Sequence, residues 1–105
     1  MQILINSDKN IAMHASLSTS IEAELHRVLD RFDSHLIGID VFLTDENPGK
    51  SDPHDKRCTL EARPNSHQSL TVTDDSAHLQ TAVSGAAKKM QRLLETTFER
   101  IGYKH

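Results

Sequence analysis

The sequence predicts an α+β fold with the element order β-α-β-β-β-α, in which one four-stranded sheet carries both helices on the same face. Three observations predict it. Segments 36–44, 56–63 and 69–73 alternate apolar and polar side chains with the period of a strand, so their sheet has one face on a core and one in water. Two longer segments, one ending at Phe32 and one over 77–101, repeat apolar residues at helical spacing, and each carries a single apolar stripe. The chain has 105 residues, read as a single domain over 1–105 with room for one modest core. Two striped helices and a one-faced sheet then cover each other most economically as two layers.

The elements follow in order. Residues 2–6 form the first strand, with Ile3 and Ile5 on one face and Leu4 on the other, and Asp8, Lys9 and Asn10 make a turn. The first helix starts between His14 and Thr19 and runs to Phe32; Leu17, Ile21, Leu25, Val28, Leu29 and Phe32 form its stripe. Thr19 with Glu22 matches a capping box and Ser16 is an earlier N-cap, so two starts stay open. Asp33, Ser34 and His35 end it. In the strand 36–44, the alternation puts Ile37, Ile39, Val41 and Leu43 inward and Gly38, Asp40, Phe42 and Thr44 outward. The acidic segment 45–55, with two prolines, a glycine and no apolar anchor, reads as a long loop. Cys58, Leu60 and Ala62 face inward from the next strand while Arg57, Thr59, Glu61 and Arg63 face outward; residues 64–67 turn the chain, and Leu70 and Val72 face inward from the last strand. Asp74, Asp75 and Ser76 supply N-caps for the second helix. Its stripe is Leu79, Ala82, Val83, Ala86, Met90, Leu93, Leu94, Thr97 and Ile101, and Gly102 stops it. Gly85 costs a mid-helix position about 1 kcal/mol relative to alanine. The small neighbours Ala82, Ala86 and Ala87 point to close packing as its reason.

Composition narrows the function classes. The apolar fraction of 36% and charged fraction of 26% are those of a folded chain. No segment approaches the roughly 20 apolar residues of a membrane span. The first residues lack a signal-peptide pattern, and Cys58 is the one cysteine, which together predict a cytoplasmic protein without a disulfide. Net charge is −3, so nucleic-acid binding would need positive charge gathered in one place.

Catalytic and metal chemistry find no pattern here. His14, His26, His35, His54, His67, His78 and His105 are scattered, with no pair at helical metal-site spacing, and no metal or cofactor is expected. Cys58 sits at an inward strand position, where a thiol packs as a small hydrophobe. The carboxylates of Asp45, Glu46, Asp52 and Asp55 lie in a loop open to water, not in the shielded site a general acid needs. The chain is expected not to be an enzyme and to take no small-molecule substrate. Positive charge is better organised. Lys88, Lys89 and Arg92 fall in a run without acids between Ser84 and Leu94, and Lys88 with Arg92, like Arg27 with Arg31, are spaced to share a helix face. Glu95 and Glu99 are possible partners for Arg92.

Three stretches carry a resemblance that covers nearly the whole chain. Met1 to Asn6 resembles a first strand; Leu17 to Asp33, with Leu17, Ile21, Ala23, Arg27, Val28, Phe32 and Asp33, resembles a first helix; and Ala82 to Leu94 is similar to a second-helix pattern, Ala-Ile followed by an Asp-Lys-Leu-x-Arg-x-Leu run. The family is that of ribosome hibernation-promoting factors, also described as ribosome-associated inhibitors or sigma-54 modulation proteins. It implies the same element order, a double-stranded-RNA-binding-domain-like fold. It also implies a binding protein that occupies the mRNA–tRNA channel of the small ribosomal subunit under stress, touching rRNA and ribosomal proteins. Arg27, Lys89, Arg92 and Arg100 match basic positions of the pattern, and Lys88 adds charge where relatives often have Asp. With Arg31 these are the expected RNA-binding residues. Departures are Glu24 where relatives commonly have Lys, a second-helix end poor in Lys, a longer acidic loop, and a chain stopping at His105 without the extension of long members. A monomer or weak homodimer is expected. The alternative reading, motivated by the net negative charge and by Phe42 on the outer face, is a protein–protein regulatory module that keeps the fold without the rRNA contacts. Charge reversal at Lys89 and Arg92 is the expected discriminator.

Overall fold

The computed structural model describes residues 1–46 and 55–100. Strands β1 (Gln2–Ser7), β2 (Leu36–Asp45), β3 (Lys56–Pro64) and β4 (Leu70–Ser76) form one sheet in the order β1-β2-β3-β4. β1 pairs parallel to β2, and the other two pairings are antiparallel. Helices α1 (Ala15–Leu29) and α2 (Leu79–Arg100) share a core with one sheet face. Ile21, Leu25 and Leu29 of α1, Val83, Met90 and Leu94 of α2, and Ile39, Val41, Leu43, Cys58 and Leu60 of the sheet are all fully buried. The two-layer α+β arrangement expected from the alternation and the stripes is the one observed. The expected long loop, the helix stop at Gly102, Ile101, His54 and His105 lie largely or wholly outside the described residues.

Four local expectations are corrected. First, Ile37 points outward at 59% exposure while Leu36 is buried at 4%. A register irregularity between Leu36 and Gly38 inverts the alternation there. Gly38 explains the squeeze: a Cβ would sit 2.7 Å from the Gln2 carbonyl oxygen and 2.8 Å from Arg63 Nη2. Second, α1 begins at Ala15, and its cap is His14, whose Nδ1 accepts from the Leu17 N–H at 3.2 Å. Ser16 and Thr19 are both inside the helix. Third, α1 gives way at Asp30 to a 3-10 segment, Asp30–His35, that carries Phe32 into the core. Fourth, Asp74 and Asp75 belong to β4 and do not cap α2. Asp75 accepts from Arg57 Nε at 2.8 Å, while Asp74 faces the helices.

Asp74 accounts for Gly85. A Cβ on Gly85 would overlap the Asp74 carboxylate, with Cγ only 2.6 Å away. Lys89, one helical turn further on, binds the same carboxylate at 2.9 Å and donates to the Thr73 carbonyl at 2.8 Å. The close packing expected at Gly85 is present, but its partner is an acid on β4. Cross-helix pairs rise together along the two helices. Ser20 Oγ lies 3.1 Å from Gln80 Oε1, and Arg31 lies 2.7 Å from Glu95. Between these pairs, Glu24 feels Ser84 and Lys88. α1 and α2 therefore run side by side in the same direction, with a polar seam above the core.

Candidate nucleic-acid interface

All six expected cations, Arg27, Arg31, Lys88, Lys89, Arg92 and Arg100, are exposed on or beside the helix layer. The apolar stripes fix this: with Ile21, Leu25, Met90 and Leu94 in the core, residues half a turn away must face water. The six differ in how far each is already committed. On α1, the Arg27 guanidinium is 64% exposed but held at two points by Glu24, with Nε and Nη2 each 2.9 Å from a carboxylate oxygen. Glu24 is only 13% exposed, sunk into the seam. The Arg27 bond, helped by Ser84 and Lys88 across the seam, holds the Glu24 carboxyl below the usual range against the opposing effect of burial. Arg31, from the 3-10 segment, reaches across the seam to Glu95 and lies 4.7 Å above the Phe32 ring.

On α2 the positions separate into a crest and a flank. Lys88 and Arg92, four residues apart, form the exposed crest. Lys89 turns to the β4 flank, where Asp74 and the Thr73 carbonyl hold it. Arg100, three helical turns beyond Lys89, falls on the same flank by helical spacing. Among the described residues, Lys88, Arg92 and Arg100 are exposed and form no ion pair. Glu95 pairs with Arg31 and leaves Arg92 free.

Acids at Glu24, Glu95 and Asp74 therefore neutralise three of the six cations, and this is what the sequence reading missed. The Glu24–Arg27 spacing of three residues was a readable signal. The other two pairs join elements distant in sequence and leave no local trace.

The opposite face of the sheet has a different character. Arg57 is held by Asp75 and Glu46, and Arg63 lies 3.6 Å from Asp40. Leu4 and Phe42 are exposed on that face. Its arginines are thus spent on neighbouring acids, and the unpaired positive charge of the described residues concentrates on the helix layer. Among those residues no group of three His, Cys, Asp or Glu is arranged to hold a metal ion, and no helix is long and apolar enough to cross a membrane. Burial, with the Asp74 charge adding to it, pushes the Cys58 thiol up to about 12.

Comparison with known proteins agrees with this architecture. A ribosomal subunit interface protein from Coxiella burnetii has a similar structure, with a TM-score of 0.74 at 14% identity over 92% of this chain and 97% of that one. The N-terminal domain of Protein Y from Thermus thermophilus is similar to the same degree, with a TM-score of 0.74 at 18% identity over 92% of this chain and 99% of that domain. At such identities the likeness speaks for the fold. No curated protein sequence matches this chain significantly. The family model described as sigma 54 modulation protein / S30EA ribosomal protein matches residues 4–101, nearly the full length. On that match, the chain belongs to the sigma 54 modulation protein / S30EA ribosomal protein family.

Proposed function

We propose that this protein binds the small ribosomal subunit through its two-helix layer and occludes the channel for mRNA and tRNA, holding ribosomes idle under stress. In this reading it is a cytoplasmic, non-enzymatic single domain acting as a monomer or weak homodimer, and rRNA phosphate is its principal contact. The observation that carries the proposal is the crest of α2. In a protein of net charge −3, Lys88 and Arg92 stand exposed and, among the described residues, form no ion pair, on the layer where family resemblance puts the RNA contacts. Arg27, Arg31, Lys89 and Arg100 flank them, three of these already holding an acid. Phosphate contacts of this kind position a protein on RNA and make its binding salt-dependent.

The test is sedimentation of purified small subunits with the protein at low and high salt, for the wild type and for Lys88→Glu combined with Arg92→Glu. These two are chosen over Lys89 because Lys89 also ties α2 to β4. Co-sedimentation lost at high salt, and lost in the variant with its melting temperature unchanged, is expected. Binding that survives both would refute the interface. A second reading, a protein–protein module, is favoured by Leu4 and Phe42 exposed on a sheet face rich in acids. It requires salt-insensitive behaviour toward RNA and loss of partner binding on Phe42→Ser.

A further inference from the structure

We infer that Glu24 is an internal competitor for phosphate, a built-in brake that sets how tightly the helix layer holds RNA. The inference rests on the proposal that this layer meets rRNA, and concerns the regulation of that same surface. Three features of Glu24 support it. Its carboxylate takes Arg27 through Nε and Nη2 at 2.9 Å each, the two-point geometry with which arginine also grips a phosphate. Arg27 therefore reaches a phosphate oxygen only by giving up, or sharing, an equivalent partner. Second, Glu24 is fixed where it stands. It is mostly shielded within the seam, and Ser84 and Lys88 of α2 favour its charged form alongside Arg27. A carboxylate stabilised from both helices does not swing away when an anion arrives. Third, its charge acts on both sides of the seam, drawing on Arg27 of α1 and on Lys88 of α2. Its firm hold, the two-point hydrogen bond, is on Arg27 alone.

The Glu95–Arg31 pair differs. Both side chains are about half exposed, so water and salt loosen that pair readily. Lys89 and Asp74 differ again, because their contact anchors α2 to β4. Glu24 is the acid whose main effect is on the availability of charge.

The test uses the intact chain, isolated small ribosomal subunits and a salt series, comparing the wild type with Glu24→Gln. Glutamine keeps the shape and removes the charge, and circular-dichroism melts verify that the variant folds. Freeing one cation adds about one phosphate contact, so the slope of log affinity against log salt should steepen by roughly 0.7–0.9. Between 50 and 200 mM salt that corresponds to an affinity falling about threefold further than for the wild type. At low salt the variant should bind more tightly than the wild type, and adding Arg27→Gln should remove most of the gain. Equal slopes and affinities would overturn the inference and leave the ribosome proposal standing. A gain that persists in full with Arg27→Gln would overturn it too, since Glu24 would then act as general negative charge. If neither protein binds subunits at any salt, the ribosome proposal fails and the inference falls with it.

Discussion

Replacing Gly85 with alanine should destabilise this protein, although in most exposed helices the same change stabilises. The favourable part is simple: removing a mid-helix glycine is worth about 1 kcal/mol. Against it stands the Asp74 carboxylate, whose Cγ would lie 2.6 Å from the new methyl carbon. Aspartate is short, and this one is held on the inner face of β4 by Lys89 at 2.9 Å, so it has little room to retreat. Overpacking of this kind costs about 1–3 kcal/mol. Turning the carboxylate aside also gives up the Lys89 pair, worth at most about 1 kcal/mol at its exposure. The sum is a net loss of about 0–3 kcal/mol, centred at about 1–2 kcal/mol. At about 4–8 °C per kcal/mol for a domain near this size, the melting temperature should fall by roughly 5–15 °C. The decisive experiment is a cycle with Asp74→Ala, followed by urea unfolding. With the carboxylate gone, Gly85→Ala should regain its ordinary sign and stabilise by about 1 kcal/mol. A Gly85→Ala protein more stable than wild type, or an effect of the same sign in both backgrounds, would refute the claim that Asp74 dictates the glycine.

Two further outcomes follow from burial. Leu36→Ala should cost about 2–5 kcal/mol in urea unfolding, whereas Ile37→Ser should change stability by no more than about 0.5 kcal/mol; simple alternation from Ile39 would rank them the other way. With the thiol pushed up to about 12 by burial and the Asp74 charge, Cys58 should resist iodoacetamide at pH 8 in the native protein and react once urea exposes it; rapid native alkylation would contradict the packing of β3 under α2.

Much of this fold is legible because its signals are local and repeated. In β3, Cys58, Leu60 and Ala62 are buried in strict alternation, with nothing to interrupt the period. The α2 stripe through Val83, Met90 and Leu94 is equally plain. The misses occur where tertiary contact outvotes a local preference. Ile37 looks inward by its spacing from Ile39, but the tight approach of β1 at Gly38 and the register irregularity turn it out. Ser16 and Thr19 are better caps by propensity than His14, yet the first turn bonds to the histidine ring. Asp74 and Asp75 look like caps because acids favour helix starts; instead β4 continues, with one acid seated under Gly85 and the other on Arg57. The candidate surface divides in the same way. Helical spacing put Lys88 with Arg92 on one face, since that needs only the helix. It could not say that Glu95 serves Arg31, because that depends on two helices lying parallel with their turns aligned.

That pairing pattern also resolves why net charge is a poor guide to this protein. A total of −3 argues against a polyanion as partner only if all charges act together. They do not at physiological ionic strength, where the screening length is about 8 Å. Asp40, Glu46, Glu61 and Asp75 belong to the outer face or rim of the sheet, with the core between them and the α2 crest. In the proposed interface, a phosphate near Lys88 and Arg92 would sense chiefly the acids of the helix layer, Glu24, Glu95 and Asp74, each already bound to a cation. Lowering the salt to 0.01 M lengthens screening to about 30 Å, comparable to the molecule itself, whose extents are 47 × 24 × 20 Å. The far acids then count, and repulsion offsets part of the gain that low salt brings to each contact. A basic homologous surface would strengthen steadily as salt is removed. If the proposed interface holds, the same physics should make its affinity for rRNA level off toward 0.01 M salt, and an affinity that keeps rising in that range would contradict it.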